Sequence, residues 1–364
     1  MRNQGETNTL ASNKQLCDLD EYSLAHVFLF LNVGDLDRCV LVCKKFQHII
    51  QRVVFPKKCK HALVTGSDHG AALSPYHYTR RKRVKLDENW RYGRYEERSY
   101  FHHNVMYISQ LAIDKDCLYM THGGRLQAHR RTKSVHMIDT RIAWMVGSVG
   151  DSDITSLAKK NNRFFAGRMD GKILLYEHGS GQQHLQTITN DIIKAVDFNK
   201  DVYAVTTKNE STYVFNYSPP DRELLCTIQQ LNSPSTAVYD VLWKDEHCIL
   251  CGNFDTTMRL VDVRTGNDEA CWTDPYNASV YCLSYNGTYA VHCGMKYHYR
   301  TNLYDLRAPN RCVQMYFPLK KNSNFSPVYR IAADCSQMFV VTDHNLRILN
   351  FDADWAATKD YASI

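Results

Sequence analysis

The sequence predicts an α+β multidomain chain, in which a small all-α module precedes a larger all-β domain of repeated units. Three observations point there. Residues 16–50 (LCDLDEYSLAHVFLFLNVGDLDRCVLVCKKFQHII) set apolar residues at helical spacing. From about residue 105 onward, short apolar strands return roughly every forty residues. Between the two lies a basic stretch with little apolar periodicity.

At 364 residues the chain has room for one large domain and a small one. An apolar content of 44% and a charged content of 23% are ordinary for a globular protein. The longest apolar run, Leu24–Leu31, is interrupted by His26. It falls far short of the ~20 residues that a membrane span needs. The polar start MRNQGETNTLASNKQ lacks the features of a secretory signal, and residues 1–15 are expected to be disordered. A cytoplasmic or nuclear location without a membrane partner is the expectation. The 13 cysteines are scattered and odd in number, which reads as reduced thiols acting as small hydrophobes. The net charge of +6 gathers at Lys57, Lys58 and Lys60 and in the run Arg80, Arg81, Lys82, Arg83, Lys85.

In the first module, Leu24, Val27, Phe28 and Leu31 fall at i, i+3, i+4 and i+7, one face of a helix. Asp20 stands where a side-chain cap would accept the free amide hydrogens of the first turn. Asn32-Val-Gly34 breaks the pattern, and Asp35 is placed to cap a second helix bearing Leu36, Cys39, Val40 and Cys43 on one side. Phe46, Ile49 and Ile50 continue the apolar content toward Pro56. About forty residues rarely bury enough surface to fold alone. The apolar faces therefore pack on the chain's own larger domain or serve a partner.

The basic run TRRKRVK at 79–85 is read as a nuclear localisation signal, a phosphate-binding strip, a solvated linker, or a basic helix beside the first module. Nothing near it supplies the interleaved aromatics of a single-strand nucleic-acid groove, so nucleic acid is not an expected partner.

The repeat is marked by strand starts at Ile154, Ile193, Val238, Val280 and Val328, spaced 39, 45, 42 and 48 residues apart, with an earlier unit near Met106. The clearest unit is VYDVLWKDEHCILCGNFDTTMRLVDVRTG at 238–266. This period suits the four-stranded blades of a β-propeller. Six units are visible. Seven blades, or an irregular ring, are expected, with the seventh hidden between Tyr217 and Val238 or within 61–104. The last unit shows only three strands before Phe351, which leaves a sheet edge open. RYEERSYF at 94–101 is the natural donor of a fourth.

With these residues in view, the first module resembles an F-box. Leu19, Leu24, Val27, Phe28, Phe30, Leu31, Asp35-Leu36, Val42-Cys43-Lys44 and Phe46 follow that family's order and spacing. Asp20 stands where proline is usual, Tyr22 where glutamate is common, and Phe46 replaces a tryptophan. The repeats resemble WD repeats that keep an aspartate and an arginine in Asp262-Val-Arg264 and Asp305-Leu-Arg307. Asn89-Trp90-Arg91 with Gly93-Arg94 resembles the bridge between the two parts in the dactylin-type group of F-box/WD-repeat proteins. The resemblance implies residues 16–56 as F-box, 57–93 as a basic linker, 94–352 as WD-repeat propeller and 353–364 as a tail. It further implies a substrate-recognition subunit of an SCF-type ubiquitin ligase. Its partners would be a Skp-type adaptor, a cullin, a RING subunit and an unknown protein substrate. Adaptor contacts fall on Leu19, Leu24, Val27, Phe28, Leu31, Leu36, Val42, Cys43 and Phe46. In such propellers the second residue of each first strand faces the channel mouth. Here those positions hold Thr155, Lys194, Tyr239, Tyr281 and Tyr329, a rim suited to stacking and hydrogen bonding with a peptide, or merely packed at blade edges. It lacks the arginines that read phosphorylated peptides.

Catalytic chemistry is not predicted. Cys248-Ile-Leu-Cys251 is a lone pair whose members face opposite sides of a strand. His102-His103 has no zinc-ligand context, Gly123-Gly124 and Gly179-Ser-Gly181 lack a strand-to-helix setting, and no GxSxG or RING-type pattern occurs. No metal, no cofactor and no enzymatic activity are therefore expected. Two rivals stand beside the SCF reading: a WD-repeat scaffold without ligase function, and a receptor that joins a different cullin ligase through its Asp-x-Arg units.

Overall fold

The computed structural model describes residues 16–66, 68–100, 109–132, 138–200, 202–207, 212–217, 222–228, 236–297, 299–309, 311–318, 326–342 and 345–353. The expected disordered start at 1–15 and nearly all of the tail lie outside the described residues, as do His102 and His103.

Six α-helices come first among the described residues: α1 (Glu21–Leu29), α2 (Val33–Val40), α3 (Lys44–Ile49), α4 (Phe55–His61), α5 (Asp68–Ala72) and α6 (Arg80–Arg91). Asp20 caps α1 as expected, accepting from the Ser23 amide at 2.9 Å and from its hydroxyl at 2.6 Å. The second cap differs from expectation. Asn32 caps α2 by accepting from the Asp35 amide at 2.9 Å, while Asp35 accepts from the Asn32 side-chain amide at 2.7 Å. Gly34 therefore lies inside the helix. Leu24, Phe28, Leu36, Phe46, Ile49, Ile50 and Val54 fill a core between α1, α2 and α3, where Phe28 and Phe46 meet edge to face at 5.0 Å.

The strands form six four-stranded antiparallel sheets among the described residues. β1 (Glu96–Tyr100) comes first in sequence but last in the ring. Blade 1 holds β2 (Leu111–Ile113), β3 (Cys117–His122), β4 (Arg125–Arg131) and β5 (Ile138–Val146). Blade 2 holds β6 (Ile154–Lys160), β7 (Arg163–Arg168), β8 (Lys172–Glu177) and β9 (Gln183–Thr187). Blade 3 holds β10 (Ile193–Asn199), β11 (Val202–Thr207), β12 (Thr212–Tyr217) and β13 (Arg222–Ile228). Blade 4 holds β14 (Val238–Trp243), β15 (Cys248–Asn253), β16 (Thr257–Asp262) and β17 (Asp268–Thr273). Blade 5 holds β18 (Val280–Tyr285), β19 (Ala290–Met295), β20 (Thr301–Asp305) and β21 (Cys312–Tyr316). Blade 6 holds β22 (Arg330–Ala333), β23 (Gln337–Thr342) and β24 (Asn345–Asn350), and β1 completes it.

That completion is the strand exchange the open edge called for. β1 runs antiparallel to β24, from Glu96 opposite Asn350 to Tyr100 opposite Leu346. Arg347 and Glu97 add an ion pair at 2.6 Å across the seam. The expectation of seven blades is corrected. β22 lies directly against β2, so the ring closes with six. The two stretches held for a seventh are otherwise employed: 61–95 carries α5 and α6, and Arg222–Ile228 is the outer strand of blade 3.

The stretch 57–93 is likewise not a solvated linker. Thr79 caps α6, which straddles two cores. Val84 joins the helical core, while Leu86 and Trp90 join that of blades 5 and 6, together with Leu63 and Val64. Three of its basic side chains meet partners brought near by the fold: Arg81 pairs with Asp37, Lys82 with Asp352, and Arg83 donates to the Thr65 carbonyl at 2.7 Å. Glu88 accepts from the Val33 amide at 3.0 Å, tying α6 to the start of α2.

Candidate interaction surfaces at the two ends of the molecule

Each blade's first strand runs from one mouth of the central channel to the other. The strand starts, at Ile154, Ile193, Val238 and Val280, mark one mouth. The strand ends and the turns after them mark the other, and the helical segment packs there. Asn286, just past β18, donates to the Leu63 carbonyl at 2.9 Å. Trp90 donates its indole N–H to the Cys335 carbonyl at 3.0 Å, just past β22. Arg131 donates to the Leu73 carbonyl at 2.6 Å and to Asp334 at 2.5 Å. Gly287 faces His69 of α5, where any Cβ would sit 3.0 Å from the His69 Cβ, and its φ of +82° also favours glycine. α5 thus stands at the near mouth, beside a cavity of about 340 Å³ lined by His69, Lys160, Asp197, Trp243 and Arg330 among others. Burial, and then the charge of Lys160, lower the pKa of His69 and favour its neutral form.

The channel is braced across its width. Arg330 of blade 6 donates to Asp240 of blade 4 at 2.5 Å and to the Leu157 carbonyl of blade 2 at 3.3 Å. Asp240 also accepts from the Leu283 amide of blade 5 at 2.7 Å. Asp197 makes the matching bridge from blade 3 to the Trp243 amide of blade 4, also at 2.7 Å. These carboxylates satisfy backbone donors that have no partner within their own sheet.

One to three residues toward the far mouth lie the rim positions. Thr155 donates to the Gly167 carbonyl at 3.1 Å and to the Ile193 carbonyl, joining blades 2 and 3. The Lys194 ammonium lies 4.6 Å over the Tyr239 ring. Tyr239 and Tyr281 are 4.6 Å apart by ring centroids, and Tyr281 and Tyr329 6.3 Å. All five are half-buried. They form one arc across blades 2 to 6. Sequence reasoning missed what extends it. Phe254, in the turn after β15, lies 6.1 Å from Tyr239, and Lys296, after β19, sits 5.1 Å over Phe254 and 5.3 Å over Tyr297. These two hold the same position past the second strand of neighbouring blades, so the repeat register was the signal that could have found them.

At the other end, the expected adaptor residues divide. Leu24, Phe28, Leu36 and Phe46 are buried within the helical module, and Leu31 and Cys43 pack partly against the same core. The spacing of the four buried residues serves internal packing in a module this small, while Leu31 and Cys43 stay half-exposed. Leu19, Val27 and Val42 do reach the surface. Around them stand Tyr22, Phe30 and Leu41, which are 82%, 79% and 85% exposed. Single apolar side chains at a surface are ordinary, but this many large ones on one small helical module make it a candidate interaction surface.

Among the described residues no group of His, Cys, Asp and Glu is arranged to hold a metal, and no helix is long and apolar enough to cross a membrane. The Cys251 thiol is buried and its pKa is pushed up to about 12 by desolvation, while Cys248 is only partly buried. The two Asp-x-Arg units close on themselves: Arg264 forks onto Asp262 at 2.5 Å and Arg307 onto Asp305 at 2.7 Å.

Comparison with known proteins completes the picture. Residues 16–58 match the F-box domain family. The chain is 21% identical over 319 residues to F-box/WD repeat-containing protein 4 of Homo sapiens, covering 74% of this chain and 77% of that protein. The values for the Mus musculus protein of the same name are equal. Among solved structures, Chaetomium thermophilum Raptor is similar over 66% of this chain and 24% of its own, with a TM-score of 0.50 at 10% identity, which speaks to fold alone. The WD40 beta propeller domain of Doa1 is similar over 66% of this chain and 78% of its own, with a TM-score of 0.49 at 10% identity.

Proposed function

We propose that the chain is an F-box/WD-repeat protein that serves as the substrate-recognition subunit of an SCF-type ubiquitin ligase. The F-box docks on a Skp-type adaptor, through which cullin and RING subunits are recruited. The far mouth of the propeller holds a target protein for ubiquitylation and degradation. The single observation that carries this reading is the division of surfaces. Exposed apolar side chains crowd the F-box, an aromatic rim lines the opposite end of the channel, and α6 is embedded in both cores between them. Such a mount holds a bound target at a set distance from the adaptor. The contribution to transfer is proximity, with no acid, base or nucleophile supplied by this chain.

The experiment is co-purification of the full chain with a Skp-type adaptor and cullin, beside a chain lacking residues 1–56. Recovery of adaptor and cullin by the full chain alone is the expected result. Recovery by neither would leave a WD-repeat scaffold without ligase function. Recovery of a cullin by both would favour the second reading, attachment to a different cullin ligase. The outward exposure of Arg264 and Arg307 supports that reading, and substitution of both arginines tests it.

A further inference from the structure

The helix that ends the F-box carries a row of cations without carboxylate partners. Residues 38–67 hold seven lysines and arginines and no carboxylate, while the whole chain nets only +6. α3, a π turn at Ile50–Val54 and α4 form one continuous helix, since Ile49, Ile50, Val54 and Phe55 all keep right-handed helical backbone. Pro56, in the first turn of α4, has no amide hydrogen to give the Arg52 carbonyl, and a widened turn relieves the clash a proline ring makes there. That turn adds a residue to the winding, so side chains five apart stack across it. Lys44, His48 and Arg52 stand four apart, Lys57 follows five later across the π turn, and Lys60 three later. The five therefore follow one another turn by turn along about 25 Å of helix, and all are exposed. Among the described residues, Lys44, Arg52, Lys57 and Lys60 meet no carboxylate. The carboxylates on neighbouring elements have their own partners: Asp20 caps α1, Asp35 pairs with Arg38, Asp37 with Arg81 and Asp87 with Arg91. Glu88 accepts from the Val33 amide and attracts Lys58, and Asp18 and Glu21 flank the Cys17 and Leu19 carbonyls that Lys45 reaches. Lys45 and Lys58 are thus not part of the row.

We propose that this row is a second docking face of the helical module, for an acidic helix of a partner protein that carries aspartate or glutamate on successive turns. The inference does not depend on the ligase reading. Cations one helical turn apart are matched by carboxylates spaced likewise on a helix laid alongside, as in the flanking charges of paired helices. Three of the four permanent charges are lysines, hydrated point charges that suit single carboxylates. A nucleic acid calls for more. Sequence-independent duplex binding draws on about six to ten phosphate contacts, and a single strand needs rings on which its bases stack. The phenylalanines of this helix, Phe46 and Phe55, are buried. An anionic membrane surface takes up the apolar face of a helix, and here that face, with Phe46, Ile49, Ile50 and Val54, lies inside the module's core. Each exposed ion pair contributes little alone, so the contact is salt-sensitive and gains its strength from number.

The probe is a labelled synthetic peptide of Glu-Ala-Ala-Gln repeats, read by fluorescence anisotropy with the full chain at low salt. The comparisons are a peptide of the same composition with its glutamates gathered at one end, a short DNA duplex, and phosphatidylserine vesicles. The spaced peptide is expected to bind at least about threefold tighter than the gathered one, and tighter than duplex or vesicles. Lys44→Glu with Lys57→Glu is expected to weaken it at least about tenfold while the thermal unfolding temperature and adaptor co-purification hold. Arg163→Glu with Lys200→Glu, which reverses two exposed cations elsewhere, is expected to change it less than about twofold. Equal loss from both double variants, tighter binding to duplex or vesicles, no preference for the spaced peptide, or no binding would overturn the proposal. Loss of adaptor binding in the Lys44→Glu, Lys57→Glu variant would assign the row to the adaptor and overturn a second face as well. If the unaltered chain binds no adaptor, the ligase reading fails while the peptide comparisons still decide this one.

Discussion

Trp90 lies flat on Phe351, with ring centroids 3.5 Å apart and planes 15° from parallel. One residue ends the helix that carries the F-box, and the other follows the last strand of the propeller. Tyr316 closes the cluster edge-on and donates its hydroxyl hydrogen to the Trp90 carbonyl at 2.7 Å. Asn89 donates to the Phe351 carbonyl at 2.8 Å. The residues that lead into the propeller and those that end it therefore meet at the point where the two domains join.

Trp90→Ala is expected to destabilise the whole chain by about 3–5 kcal/mol, the usual cost of emptying a buried aromatic site. Thermal or denaturant unfolding measures it, with Tyr92→Ala, at an exposed position nearby, as the control expected to stay near wild type. A loss below about 1 kcal/mol would show that the joint contributes little.

Within the F-box, core and surface substitutions should separate two properties. Phe28→Ala removes a ring from the module's interior and is expected to lose helix content and adaptor binding together. Phe30→Asp, on an exposed ring, is expected to lose adaptor binding while circular dichroism is unchanged. If Phe30→Asp binds the adaptor normally, the docking surface lies elsewhere on the module.

That contrast shows what the residues alone could convey. Apolar spacing located the first two helices of the F-box, yet Leu24 and Phe28 at a helical interval look the same whether they face a core or a partner. Exposure at Tyr22, Phe30 and Leu41 became visible only once three helices were placed against each other. The strand count after Val328 was legible, because three strands need a fourth, and Glu96–Tyr100 duly supplies it. Blade number was not, because closure depends on how β22 meets β2 rather than on any residue type. The run at 79–85 was open between a solvated linker and a basic helix beside the first module, and the helix is what forms; Asp37 and Asp352, which pair with Arg81 and Lys82, are distant in sequence and so could not decide it beforehand.

The brace across the channel yields a third expectation. Asp240→Ala leaves Arg330 buried without its counter-charge, and removal of one partner of a buried pair typically costs about 3–5 kcal/mol. Arg330→Met with Asp240→Leu is expected to recover much of that loss, since paired apolar replacement avoids desolvating either charge. Denaturant midpoints of single and double variants decide it. A double variant no better than either single would show that the hydrogen bonds to Leu283 and Leu157 matter more than the ion pair.

The Asp262 carboxyl has its pKa lowered to about 2, first by the Arg264 side chain and then by that residue's backbone amide. A carboxylate whose folded pKa lies below its usual value of 3.8 contributes stability that is present above that value. The contribution is lost as pH falls through the folded value near 2. Arg264→Ala should return the Asp262 midpoint toward 3.8, as read by NMR titration of its carboxyl carbon. A midpoint still near 2 would assign the shift to the backbone amide instead.

Removing the donated strand should be far worse than removing the F-box. A chain lacking residues 1–54 keeps Leu63, Val64, Trp90 and β1, and its propeller is expected to fold. One lacking residues 1–100 exposes the edge of β24 and is expected to aggregate. Size-exclusion chromatography distinguishes the two, and a monomeric, folded 101–364 chain would show that β1 is dispensable.

The central claim is that the adaptor and the target engage opposite ends of one rigid body. Hydrogen–deuterium exchange of the full chain, with and without a Skp-type adaptor, tests it most directly. Protection confined to residues 16–54, with exchange unchanged around Tyr239, Phe254, Tyr281 and Tyr329, is the predicted result. Protection at that rim, or none in the F-box, would contradict it.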